Sequence, residues 1–347
     1  MDVSHETRAA AATDDRGAGL PQAYTARLLI GCADRPGIVA AVSGFLFEQG
    51  ANIVSSHQYS TDPIGGRFFL RTEFFLPRSS RAVAATGGHP ETGVGTGTEV
   101  EAKVEAAAGT EVEAEMEAEP EVAVRERLHE QFEAEVATRF AMDWRIRWWG
   151  ERRRIAILVS RHDHCLVELL WRWRRGELDA EIVAVVSNHL DLQRETLAVG
   201  VPYHHIPVEK GHKAQAEGRM LELLAGNADL LVLARYMQIL SGDFLARVAV
   251  PAINIHHSFL PAFAGADPYR RAREQGVKLI GATAHYVTEQ LDDGPIIEQD
   301  VVRVDHRQSI GDLERVGRDI ERLVLARAVS MHLDDRVIVD GRRTIVF

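Results

Sequence analysis

The sequence predicts an α/β chain of two modules, a small βαββαβ unit followed by a larger, doubly wound parallel sheet. Three observations carry that expectation. A low-complexity acidic stretch, residues 79–123, interrupts an otherwise ordinary pattern of apolar runs. Around it, strands and helices follow the order strand, helix, strand, strand, helix, strand. From Arg154 onward, short runs rich in Ile, Val and Leu alternate with helical stretches, as in a parallel sheet covered on both faces. With 347 residues, each module can bury its own core.

Residues 1–22 lack the apolar core of a secretory signal and read as a disordered tail. The first module is expected over 23–150. Arg27 to Cys32 (RLLIGC) reads as a buried strand, followed by the turn Asp34-Arg35-Pro36-Gly37. Ile38, Val42, Phe45 and Leu46 then recur at helical spacing, with Pro36 ahead of the helix and Gly50 suited to its C-terminal end. Asn52 to Ser60 and Arg67 to Leu76 read as strands around a turn at Asp62-Pro63-Ile64-Gly65-Gly66. Leu128, Phe132, Val136 and Phe140 mark a second helix, and Met142 to Trp149 a last strand. Without the insert, this is a ferredoxin-like arrangement.

The insert carries ten glutamates against Arg81 and Lys103, which accounts for eight of the eleven net negative charges. Alternating Glu with Ala or Val buries too little apolar area to offset chain entropy, so disorder is expected. A transient helix and a partner-binding acidic run are the alternatives. The rest of the chain is close to neutral, which excludes a nucleic-acid binder. No apolar run reaches membrane-span length, so no membrane role is expected. Cys32 and Cys165 cannot form a disulfide framework, and a cytoplasmic location follows.

The DRPGIVA turn, its helix and ANIVSSHQYS resemble an ACT domain, a small regulatory module of metabolic enzymes. The resemblance implies a homo-oligomer. It also implies an amino-acid or related effector near the first strand-to-helix loop, which maps onto Asp34, Pro36, Gly37 and Asn52. Pro36 and Gly37 equally suit a simple turn. The insert departs from the family pattern, but it falls between strand three and helix two, where it spares the core.

In the second module, expected over 151–347, RIAILVS, EIVAVVS, DLLVLAR and INIHH read as strands. CLVELLWRWRRG, RETLAVG and EGRMLELLAG read as helices between them. Ligands of such sheets sit at the carboxyl ends of the strands. Directly at one strand end stands Asn254-Ile255-His256-His257-Ser258-Phe259-Leu260-Pro261. Alternation sends Asn254 and His256 to one side. An amide N–H and a protonated imidazole can both donate to a carbonyl oxygen that becomes an oxyanion. The same pair alone would also suit a buried structural contact. Downstream, Leu291-Asp292-Asp293-Gly294-Pro295 places two carboxylates in a tight turn. A carboxylate near His256 would favour the imidazolium and could hold or deprotonate a water. Its alternative role is to cap the turn.

Together, N-I-H-x-S-x-L-P and H-Y-V-x-x-x-L-D-x-G-P resemble the formyltransferase fold that uses 10-formyltetrahydrofolate, over nearly all of Arg154 to Phe347. The resemblance implies a Rossmann-like domain with Asn254, His256 and Asp292 catalytic, and His257, Asp293 and His285 outside that trio. It also implies a folate pocket made by Met237, Gln238, Ile239, Leu240, His285 and Val287. Core packing is the alternative for Met237, Ile239 and Leu240.

A transferase acting on a phosphorylated acceptor needs an anion cradle, and in the resembled family the glycinamide ribonucleotide formyltransferases carry a Gly-rich loop after the first strand, where backbone N–H groups approach phosphate. Here Ser160-Arg161-His162-Asp163-His164-Cys165 has no glycine and adds a carboxylate, although Arg161 could still attract an anion. HDHCLVELL, SNH, HHIPV, ARYMQILS and GVKLIGATAHYV resemble the formyltetrahydrofolate deformylases, as does the order of the two modules. That resemblance implies hydrolysis of 10-formyltetrahydrofolate by water, without a cofactor, giving tetrahydrofolate and formate for purine synthesis and balancing one-carbon folate pools. An amine formyltransferase and a catalytically silent amino-acid sensor are the rival readings. Ala264 and Asp267 depart from the family pattern and put the folate-tail contacts in question. His162, His164, Cys165, His204 and His205 lack paired metal-ligand spacing, so no metal is expected; hydrogen bonding of His162 and His164 within the cleft is.

Overall fold

The computed structural model describes residues 24–77, 121–261 and 268–347. The expected tail, nearly all of the acidic insert, and Ala264 and Asp267 lie outside them. The chain divides into two compact units, Met1–Trp149 and Gly150–Phe347.

In the first unit, β1 (Thr25–Ala33), α1 (Ile38–Glu48), β2 (Asn52–Ser60) and β3 (Arg67–Phe75) lie close to their expected bounds. The second helical run begins with α2 (Glu121–Phe132), so residues 121–123, expected in the insert, form its first turn. It passes through a π-helical turn at Glu133–Ala137 into α3 (Thr138–Phe140), and β4 (Asp143–Trp148) closes the unit. The π turn has a sequence cause. Leu128, Phe132, Val136 and Phe140 recur every four residues, which on a regular α-helix drifts by about 40° per step. A wider turn takes up that drift, and all four side chains are buried. The antiparallel sheet has the order β2-β3-β1-β4 of the ferredoxin-like arrangement. One face of it is covered by Ile38, Val42, Phe45 and Leu46 from α1 and by Leu128 and Phe132 from α2.

In the second unit, β5 (Arg153–Val159), α4 (His164–Arg174), β6 (Ala180–Ser187), α5 (Gln193–Ala198) and β7 (Tyr203–His205) run outward from the sheet centre. The chain returns through α6 (Lys213–Leu224) to β8 (Leu230–Leu233), α7 (Gly242–Val248) and β9 (Ala252–His256) on the other side of β5. Then follow α8 (Pro268–Glu274), β10 (Leu279–Tyr286), β11 (Ile296–Arg303), α9 (Ile310–Leu333) and the hairpin β12 (Val337–Asp340) and β13 (Arg343–Val346). The main sheet has the order β11-β10-β9-β8-β5-β6-β7.

The expectation of a parallel sheet holds for β5 to β9, but β10 is antiparallel to both β9 and β11. Apolar alternation marks a strand without fixing its direction, and the return through α8 leaves β10 free to reverse. Each face of the sheet has its own core. Ile155, Ile157 and Ile253 meet α4 and α9 on one face, and Ala156, Leu158 and Leu231 meet α6 on the other. No helix among the described residues is long and apolar enough to cross a membrane.

Candidate active site

β9 sets the first two groups of the site. Ile253 and Ile255 are buried in the core, which turns Asn254 and His256 together to the opposite side. The antiparallel partner β10 brings His285 directly opposite Asn254 and Thr283 opposite His256. The family resemblance put His285 in the folate wall, and its place between Asn254 and Asp292 is set by strand register.

The third group comes from the turn after β10. Asp292 has φ 55, in the left-handed region that a non-glycine residue occupies at some cost. Gly294 is required sterically, because a Cβ there would lie 1.7 Å from the Tyr286 carbonyl oxygen. Tyr286 N donates to Pro295 O at 2.9 Å, which pins the turn back onto the strand end. The result is a contact of 3.2 Å between His256 Nδ1 and Asp292 Oδ1, with His285 Nε2 at 3.9 Å from the same oxygen. The hydrogen bond from His256 holds the Asp292 carboxyl below its usual range, against the opposing effect of burial. Asp293 turns away and pairs with Arg342.

The His285 hydrogen bonds fix its tautomer. A carbonyl oxygen can only accept, so His285 Nδ1 donates to Tyr286 O at 2.9 Å. Burial lowers the His285 pKa, which favours this neutral form. Nε2 is then left with a lone pair that accepts from Asn254 Nδ2 at 3.3 Å. One N–H of the amide is thereby engaged, and the other is free to donate to a ligand.

Asn254, His256 and Asp292 share one cavity of 390 Å³ with Arg235, His257 and all six expected folate residues: Met237, Gln238, Ile239, Leu240, His285 and Val287. Met237 and Ile239 are 55% and 59% exposed, so core packing does not explain them. Leu240, at 8%, does belong to the core as well as to the wall. His256 Nε2 is buried without a hydrogen-bond partner among the described residues.

Behind the cavity lies a group that sequence reasoning missed. Glu321 on α9 accepts from His164 Nε2 at 2.8 Å and from the Tyr269 hydroxyl at 2.7 Å, and Arg235 Nε stands 3.4 Å away. The available signal was a glutamate in line with Leu313, Gly317, Val324 and Leu325 on the buried stripe of an amphipathic helix. Hydrogen bonding of His164 in the cleft was expected; His162 is exposed, its ring 6.2 Å from that of His164. His257 is pushed down to about 4 by burial, with the Arg235 charge acting in the same sense. His164, Cys165 and Glu321 could offer three donors to a metal within 4.8 Å. The Arg235 guanidinium already faces that carboxylate, however, and burial raises the Cys165 thiol well above its ordinary value. The donor set therefore suits an ion pair better than a cation.

In the first unit, the expected effector residues do not form one cluster. The Asp34 carboxylate accepts from the Ser60 hydroxyl at the end of β2, and exposed Pro36 and Gly37 lead into α1. Asn52 is at the opposite end of β2, about 26 Å away along an extended strand.

Residues 153–329 match the formyl transferase family model, and residues 26–80 match the ACT domain model. A formyltetrahydrofolate deformylase of Mycobacterium tuberculosis (strain ATCC 25618 / H37Rv) is 51% identical over 92% of this chain and 90% of its own length. One from Bacillus subtilis (strain 168) is 48% identical over 92% and 93%. The chain belongs to the formyltetrahydrofolate deformylase family. The crystal structure of a deformylase from Pseudomonas syringae pv. tomato matches with a TM-score of 0.78 and 41% identity, covering 96% of both chains. A glycinamide ribonucleotide transformylase from Symbiobacterium toebii matches with a TM-score of 0.54 and 31% identity, covering 96% of its own length but 58% of this chain. The two-unit organisation is thus shared with the deformylase, and the transformylase matches a smaller part of the chain.

Proposed function

We propose that this chain hydrolyses 10-formyltetrahydrofolate to formate and tetrahydrofolate, with Asn254, His256 and Asp292 as the catalytic residues and no cofactor. The observation that carries the reading is the convergence of an amide, an imidazole and a carboxylate on one folate-sized cavity. Met237, Gln238, Ile239, Leu240, His285 and Val287 would hold the pterin end of the substrate, with apolar side chains against its ring.

Asp292 accepts a proton from water as the water oxygen bonds to the formyl carbon. Negative charge grows on the carbonyl oxygen, where the free Asn254 N–H and His256 Nε2–H donate to it. Protonated His256 uses Nδ1–H for Asp292 and so keeps Nε2–H for the oxyanion. Collapse breaks the carbon–N10 bond as N10 takes up the proton that Asp292 received from water, and formate and tetrahydrofolate leave with Asp292 again a carboxylate.

The ACT unit would bind a small amino-acid effector in a homo-oligomer. Because Asn52 lies far from Asp34, Pro36 and Gly37, a site uniting them would need a second copy of the unit. Free, buried Cys32 and Cys165 suit the reducing cytoplasm. Incubation with 10-formyltetrahydrofolate and no amine tests the reaction. Formate release at enzyme-like turnover is expected, and strict dependence on an added amine would overturn the reading.

A further inference from the structure

We propose that the quartet of His164, Arg235 and Tyr269 around the buried Glu321 is the specificity determinant that leaves water as the only acceptor of the formyl group. The inference rests on the hydrolytic reading above and assigns side chains to its choice of nucleophile.

The chain leaves β5 toward β6 and β7 and returns on the other side as β8 and β9, so the sheet's switch point lies between β5 and β8. In open α/β sheets, the crevice beyond the strand ends at such a point is where a ligand enters. Here that crevice is filled from within. His164 starts α4 just after β5, Arg235 follows β8, and both meet Glu321 of α9, which is 1% exposed. Ser160 stitches the two banks together. Its N–H donates to Arg235 O at 3.3 Å, its hydroxyl donates to Asn188 Oδ1 at 2.7 Å, and it accepts from Met237 N at 3.0 Å.

Two local features accommodate the plug at the expense of ordinary backbone preference. Gly317 lies one turn before Glu321 on α9, and a Cβ there would fall 1.9 Å from the Tyr269 hydroxyl oxygen. A mid-helix glycine is a poor helix former, and this one makes room for the phenol. Arg235 sits at φ 62, a left-handed conformation unfavourable to a side-chain-bearing residue, with its guanidinium facing Glu321. The quartet also borders the reacting groups. Arg235 lines the cavity of Asn254, His256 and Asp292, and the His257 ring stands 5.2 Å from that of His256 and 6.1 Å from that of Tyr269.

The chemistry does not itself forbid an amine. An amine nitrogen would bond to the formyl carbon, the carbon–N10 bond would break, and the proton lost by the amine would pass to N10. Exclusion must therefore come from space. A water needs room for one heavy atom, whereas an amine brings a substituent that must extend away from the carbon. With folate on the apolar wall, a substituent extending past Arg235, which lines the same cavity, runs into the quartet.

The test measures the ratio of N-formyl product to formate by mass spectrometry, using the full-length protein, 10-formyltetrahydrofolate and glycinamide or methoxyamine. In the wild type the ratio stays at the enzyme-free background. In Tyr269→Ala it rises at least tenfold, while formate release without amine stays within about threefold. Tyr269→Leu, which shortens the side chain while keeping an apolar filling, carries the same expectation if the alanine variant fails to fold. A wild type that formylates the amines freely, or folded and hydrolytically active variants with an unchanged ratio, would overturn the role of the quartet. Absence of formate from the wild type without amine would instead overturn the hydrolytic reading.

Discussion

Replacing Glu321 with glutamine keeps the side-chain shape and removes a charge from a place that water does not reach. Burial alone would raise the carboxyl pKa. The hydrogen bond from His164 and the charge of Arg235 outweigh it, and the hydrogen bond from Tyr269 adds to them, holding the group at about 2 rather than 4.5. At about 1.4 kcal/mol for each factor of ten in ionisation, that separation corresponds to about 3 kcal/mol of stability near pH 7. The folded value lies below the unfolded one, so this contribution is complete above the unfolded pKa and fades as pH falls toward the folded value. It should drop by about 1 kcal/mol between about pH 7 and pH 3.5. Glutamine also leaves the largely covered Arg235 without its counter-charge, which acts in the same direction. For a unit of this size, about 3 kcal/mol corresponds to a Tm lower by roughly 6–12 °C. Thermal unfolding of the full-length wild type and Glu321→Gln, followed by circular dichroism across that pH range, reads both numbers. A gap below about 1 kcal/mol near pH 7, or one that widens on acidification, would refute the reasoning.

Three further perturbations have defined outcomes. Asp292→Asn should lower kcat for formate release by roughly 10²- to 10⁴-fold with little change in KM, because it removes a proton acceptor and leaves the folate wall intact; steady-state kinetics decides. His285→Ala should lower kcat about tenfold by freeing the Asn254 amide to rotate, and should add little to the defect of Asn254→Ala in a double-mutant cycle. Replacing both Met237 and Ile239 with serine should leave Tm nearly unchanged, since both side chains are exposed, yet raise KM at least about tenfold. A fall in Tm with unchanged KM would return both residues to a packing role.

Much of this molecule could be read before folding. Apolar periodicity marked β1 to β6, β8, β9 and the helices α1, α2 and α4 to α6, because alternation and helical spacing are local properties. Asn254 and His256 were legible as a pair for the same reason, since two residues apart on a strand means one shared side. Less legible was whatever depended on a partner distant in the chain. The direction of β10 and its register against β9 decide that His285 meets Asn254, and neither leaves a trace in local spacing. That Glu121 to Ala123 belong to α2 rather than to the insert was also hidden, because Glu, Ala and Val recur on both sides of that boundary.

The sequence by itself determined the two modules, their order of elements, and the functional groups gathered at one strand end and one tight turn. Tertiary structure decided which of those groups touch. It set His256 against Asp292 and His285 against Asn254, and it turned Glu321 into the anchor of a buried cluster. The physical reason is range. Backbone preference and side-chain alternation act over a few residues, whereas strand register, helix docking and the charge environment of a buried group arise only when distant segments pack.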